Sequence, residues 1–134
     1  MYNAADLYVS PYIAEGFNLC CLEALACGLN VLVPKTGSTK EYMLDIYNNG
    51  GSEHIFYIDS EVIDVGDGKK QNNIDFMKLL HLITDNETKI KDLKMLRCNG
   101  NVPLNMKSYI RENYSWDKVA DLLYDYFYWI IKKN

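Results

Sequence analysis

Glu15 and Glu23, separated by seven residues, frame the segment Glu15-Gly16-Phe17-Asn18-Leu19-Cys20-Cys21-Leu22-Glu23-Ala24-Leu25-Ala26-Cys27-Gly28. One apolar run, Leu7-Tyr8-Val9, leads into it and another, Val31-Leu32-Val33, leaves it. A loop that ends a buried strand and opens a helix presents unpaired backbone N–H groups and a positive dipole end to an anion. Carboxylates beside such a site would repel a phosphate, but they accept hydrogen bonds from hydroxyls. Amides for an anion next to carboxylates for hydroxyls fit a phosphorylated sugar.

The elements that must position these groups alternate. Asp6 to Pro11 reads as a short buried strand, with Pro11 at its end where a missing N–H does little harm. Asn18 is a fitting N-cap for a helix from Leu19 to Cys27, and Gly28 a fitting stop. Asn30 to Pro34 forms a second strand, Thr36-Gly37-Ser38 a turn and Lys40 to Tyr47 a short helix. Ile55 to Ile58 is a third strand, and Asp64 to Asn73 a loop. From Ile74 the period turns helical: Phe76, Leu79, Leu80 and Ile83, then Ile90, Leu93 and Leu96. Asn99 to Pro103 breaks it, and Ser115 caps a last helix, Trp116 to Ile131. Strands alternating with helices predict an α/β fold with a parallel sheet of doubly wound type. Three parallel strands leave two open edges, as in a piece of a larger sheet.

Composition narrows the classes. The chain of 134 residues fits one domain (1–134, with 114–134 as its closing helix) and is 49% hydrophobic and 24% charged, the balance of a globular protein. A net charge of −4 and no Lys/Arg patch beyond Lys132-Lys133 give no reason to expect nucleic acid. No apolar run approaches the roughly 18 residues of a membrane span, and Met1 to Asp6 lacks the start of a signal peptide. Cys20, Cys21, Cys27 and Cys98 form no C-x-x-C pair, and His54 and His81 are remote from them, so no metal is expected. Three of these cysteines lie on the apolar helix as packing residues, which fits a reducing, cytoplasmic compartment. Gly66-Asp67-Gly68-Lys69-Lys70 lacks the strand and Ser/Thr of a phosphate loop and reads as a surface loop.

The run Asn3-Ala4-Ala5-Asp6, Leu7 to Val9, Pro11, Glu15-Gly16-Phe17-Asn18-Leu19, Glu23-Ala24-Leu25-Ala26-Cys27-Gly28, Val31 to Val33, Thr36-Gly37-Ser38 and Glu41 resembles the C-terminal domain of retaining GT-B glycosyltransferases, group 1, family four. Tyr114-Ser115-Trp116-Asp117-Lys118-Val119-Ala120 resembles the family's final helix. The resemblance implies a Rossmann-like parallel sheet, the incomplete C-terminal half of a GT-B enzyme. It implies hexosyl transfer from a nucleotide-diphosphate sugar with retention, without metal or other cofactor. By position, Glu15 would accept hydroxyls of the donor sugar, and the amides of Gly16, Phe17 and Asn18 would line that sugar. The amides of Leu19 and Cys20 would hold the diphosphate, and Glu23 the ribose. The family pattern has glycine where Asn18 and Ser38 stand here. Asn18 would therefore add a side chain near the sugar or cap the helix.

Full members carry an N-terminal acceptor domain and an Arg/Lys pair for the diphosphate. Neither is visible, so a truncated or split enzyme is expected, inactive alone and completed by the missing domain or by self-association. The cations nearest the loop in sequence are Lys35 and Lys40. The aromatic residues Tyr124, Tyr126, Phe127, Tyr128 and Trp129 would meet the missing domain or form an exposed apolar patch. Two readings stand side by side: the donor-binding half of a glycosyltransferase, or a non-catalytic nucleotide-sugar-binding or interaction module.

Overall fold

The computed structural model describes residues 2–37, 39–98 and 104–133. Three strands form the parallel sheet: β1 (Leu7–Val9), β2 (Asn30–Pro34) and β3 (Ile55–Ile58), in the order β1-β2-β3. Tyr8 pairs with Val31, and Leu32 with Phe56. Every residue of β2 is buried, as expected of the central strand of a sheet covered on both faces.

Alternation along β2 sorts the core into two layers. Val31 and Val33 face a cluster built from α1 (Leu19–Ala26), α2 (Thr39–Ile46) and α5 (Leu104–Asn113), with Leu25, Met43, Met106 and Ile110 at its centre. Leu32 faces the opposite side, where Phe56, Ile58, Leu79 and Ile90 pack under α3 (Phe76–Asp85) and α4 (Glu87–Cys98). Helices thus cover both faces of a parallel sheet, the Rossmann-like α/β arrangement. His54, buried at the start of β3, joins its Nδ1 to Asn30 Oδ1 at 2.9 Å, and Asn30 in turn donates to the Asp6 carbonyl. That polar link ties the N-terminal ends of the three strands.

The first strand is shorter than Asp6–Pro11, because after Val9 only the Ser10 N–H reaches β2, at the Leu32 carbonyl. Helix α1 ends one residue before Cys27 in a Schellman turn. Gly28 N–H bonds to the Leu25 carbonyl and Leu29 N–H to the Ala24 carbonyl, which requires the positive φ of 76° that Gly28 supplies. Helix α2 spans Thr39–Ile46 and runs into a π-helical turn, Tyr47–Gly51, rather than stopping at Tyr47.

One sequence expectation is overturned outright. Asp64 to Asn73 is not a loop but most of an antiparallel hairpin, β4 (Ser60–Asp64) and β5 (Lys70–Ile74). Its strands are polar and exposed, so no apolar alternation announces them; the signal was Gly66-Asp67-Gly68, all three at positive φ, which turns one strand onto the other. Helix α5 was also not separately foreseen, since its period merges into the polar stretch around it. The break at Asn99 to Pro103 lies outside the described residues. The last helix, α6, spans Trp116–Lys133 with Ser115 Oγ accepting from Lys118 N–H as expected of a cap, and none of its side chains is buried. No helix of the described residues is long and apolar enough to cross a membrane.

Asp45 fastens α5 to α2. Its Oδ2 accepts from the hydroxyls of Tyr109 at 2.7 Å and Tyr114 at 2.6 Å, and the Tyr114 bond, then the Tyr109 bond, holds its carboxyl below the usual carboxylate range. A depressed folded pKa stabilises above the unfolded value of about 3.9 and is lost as pH falls toward the folded one. Asp45→Asn is therefore expected to lower the melting temperature at pH 7, with the gap to wild type closing as pH drops below about 4. A gap that stays constant down to pH 2 would show that the carboxylate charge does not matter.

Candidate functional site

The loop from Ser10 to Asn18 carries the site, and it is pinned at both ends. At its start the Tyr12 hydroxyl bonds to the Thr36 carbonyl at 2.7 Å, and it also meets the Pro34 carbonyl and Thr39 Oγ1. At its end Asn18 is buried in the left-handed conformation, φ 57°, a region asparagine tolerates better than most residues. The family glycine is thus replaced by the residue type that best keeps its backbone. The Asn18 side chain does not cap α1 and does not reach over the loop. Its Nδ2 donates to Ser10 Oγ at 3.0 Å, and the Tyr42 hydroxyl donates to the Asn18 carbonyl at 3.2 Å. The reading of Asn18 as a side-chain cap is corrected: a left-handed Ncap turns the side chain back toward β1.

Between the pins stands an exposed tip. Glu15 folds its carboxylate onto the Gly16 N–H at 3.0 Å. A Cβ on Gly16 would meet nothing within 4 Å, so the space above it is open. Phe17 is half exposed and stacks on Tyr42 with ring centres 4.8 Å apart. Leu19 and Cys20 open α1, both exposed, and their amides have no helical carbonyl behind them and no bond from the Asn18 side chain. Cys20 is therefore not a packing residue; Cys21 is, and burial pushes its thiol pKa up. Glu23, one turn further along the exposed face, accepts from the Tyr2 hydroxyl at 2.9 Å, a bond that raises the phenol pKa.

Two recesses meet this loop. One, about 580 Å³, lies between α1, α5 and the start of α6 and is lined by Phe17, Leu19, Glu23, Lys107, Arg111 and Trp116 among others. The other, about 210 Å³, is bounded by Glu15, Tyr12, Gly37 and the β4–β5 hairpin. The tertiary structure therefore brings Phe17, Leu19 and Glu23 into one cleft and places Glu15 at the other recess.

The cations that sequence order proposed are not the ones at the cleft. Lys35 lies over the Tyr57 ring, 5.2 Å from its centre, and lines neither recess. Lys40, exposed on the first turn of α2, also lines neither. Lys107 and Arg111, more than eighty positions from Glu23, line the cleft instead. Their i, i+4 spacing puts them on one face of α5, a signal present in the sequence. Which way that face points was decided by Met106 and Ile110, buried against α1 and β2. Ser38, the second departure from the family pattern, lies outside the described residues.

A parallel α/β sheet whose strand-end loop opens a helix beside a ligand-sized cleft is an arrangement in which open α/β sheets bind ligands. The chain belongs to the family of glycosyl transferases, group 1, whose model matches residues 1–76, more than half its length. No curated protein and no solved structure matches it. Membership in this family points to glycosyl transfer with a nucleotide-sugar donor.

Proposed function

We propose that this chain is the donor-binding half of a retaining, GT-B type glycosyltransferase of family four, moving a hexosyl group from a nucleotide-diphosphate sugar. The observation that carries this is that Leu19 at the start of α1, Glu23, Lys107 and Arg111 line one cleft. A diphosphate needs both partners: amides to fix its oxygens, and fixed positive charge to stabilise it as it leaves. Lys107 and Arg111 supply the charge that the segment from Glu15 to Glu23 lacks. In this reading the amides of Leu19 and Cys20 hold the diphosphate, and Glu23 accepts the ribose hydroxyls, where the Tyr2 hydroxyl now donates. Gly16, Phe17 and Asn18 present backbone to the sugar, and Glu15 receives its hydroxyls. Retention by front-face attack, with the leaving phosphate taking the acceptor proton, asks for no protein nucleophile. An acceptor domain, supplied by a longer chain or a partner, completes the enzyme.

Calorimetry with UDP, GDP and their sugars tests this. Wild type is expected to bind at least one nucleotide, and Glu23→Ala to weaken it by about tenfold, as for loss of hydrogen bonds to a charged group. Binding unchanged in Glu23→Ala removes the ribose assignment. No binding of any nucleotide by wild type sinks the proposal.

A further inference from the structure

The β4–β5 hairpin has no part in the reading above, yet Asn72 of β5 fastens it to the loop that leads into Glu15. The Asn72 N–H donates to the Ile13 carbonyl at 2.7 Å, and its Nδ2 donates to the Tyr12 carbonyl at 3.1 Å. Its Oδ1 accepts from Thr36 Oγ1 at 2.5 Å, in the segment after β2. Asn72 thus ties β5 to two other pieces of chain, the loop that carries Glu15 and the segment after β2. Apolar packing anchors the hairpin at its base, where Ile74 meets the Leu32 layer, but Val62 and Ile63 further out are both exposed. Ordering exposed chain costs conformational entropy, so the polar bonds of Asn72 fix the hairpin and the loop relative to each other.

The consequence is a walled recess. Val62 and Lys70 of the hairpin supply one part of its lining and Glu15 of the loop another, and the volume is about 210 Å³. Drug-sized ligands occupy roughly 300–1,000 Å³, so this space suits one ring, not a whole nucleotide. Its chemistry is split: Glu15 offers acceptors, while the Lys70 ammonium, on the same face of β5 as Asn72, offers donors. A monosaccharide, whose hydroxyls both donate and accept, satisfies both walls.

We infer that the β4–β5 hairpin is the specificity wall of the sugar subsite, with Asn72 as the positioning residue that holds the Glu15 loop against it and Lys70 as the residue that selects the sugar. This inference rests on the donor-binding reading. The test measures, on the full chain, affinities for UDP, UDP-glucose, UDP-glucuronic acid, GDP and GDP-mannose, with hydrogen exchange of residues 10–16 beside them.

Wild type is expected to bind a nucleotide sugar more tightly than the matching nucleotide. Asn72→Ala, which removes the two side-chain bonds, is expected to lose that sugar increment, about tenfold, while nucleotide affinity stays within about twofold. Exchange of residues 10–16 should rise. Asn72→Asp keeps the acceptor for Thr36 and should fall between wild type and Asn72→Ala. Lys70→Ala should reorder the sugars, leaving nucleotide affinity and exchange unchanged. Equal loss for nucleotide and sugar in Asn72→Ala, or an untouched sugar increment, overturns the inference. If wild type binds nucleotide but the sugar adds nothing, the inference alone falls. If it binds neither, the donor-binding reading falls first and takes the inference with it.

Discussion

Replacing both Lys107 and Arg111 with alanine is expected to lower affinity for a nucleoside diphosphate by about a hundredfold, each single change contributing about tenfold. A hydrogen bond to a charged group contributes about 1.5–3 kcal/mol, and the partial exposure of both side chains argues for the lower end. The loss should shrink as salt is raised, because screening already weakens the pair in wild type. Stability should change little, since the neighbours that anchor α5, Met106 and Ile110, are untouched. Titration calorimetry at low and high salt, with a melting curve for each variant, checks all three expectations. An unchanged dissociation constant in the double variant would remove these residues from the diphosphate site. Arg111→Lys separates geometry from charge: a forked guanidinium binds two oxygens at once, and an ammonium does not.

The second large effect concerns the scaffold. Leu25 is fully buried on α1, in the same cluster as Val31 and Val33 of β2 and Met106 and Ile110 of α5. Leu25→Ala removes three carbons, a methine and its two methyls, from the junction of three elements, at an expected loss of about 2–5 kcal/mol. Domains of this size are stable by about 5–15 kcal/mol, so the melting point should fall steeply. Leu122→Ala, at an exposed position of α6, should change stability by less than about 0.5 kcal/mol. Thermal unfolding of the pair gives the comparison. Similar melting points would mean that α1 is not packed as described. Because α1 carries Leu19, Cys20 and Glu23, Leu25→Ala should also weaken nucleotide binding in proportion to the fraction unfolded.

Much of the fold could be read directly. β2 and β3 stand where the apolar runs placed them, since a strand buried on both faces must be continuously apolar. Gly28 ended α1 because the left-handed turn there excludes most side chains. The hairpin escaped because an exposed strand needs no apolar pattern; its pairing is set by a turn and its placement by the bonds of Asn72. The cap at Asn18 was misjudged for a different reason. Asparagine serves both as an Ncap and in the left-handed region, and only the backbone angle separates the two.

The site divides along the same line. Glu15 through Glu23 are contiguous, so one loop and one helix bring them together, and local sequence sufficed to recognise the segment. The sequence by itself also determined the parallel α/β order and the family. The tertiary structure alone decided that Glu15 and Glu23 border different recesses. It also decided that Lys107 and Arg111, not Lys35 or Lys40, line the cleft beside α1, and that a polar hairpin lines the Glu15 recess. The physical reason is common to these: each depends on which face of a distant element is buried, and that choice is made by packing between elements rather than by residues near the loop.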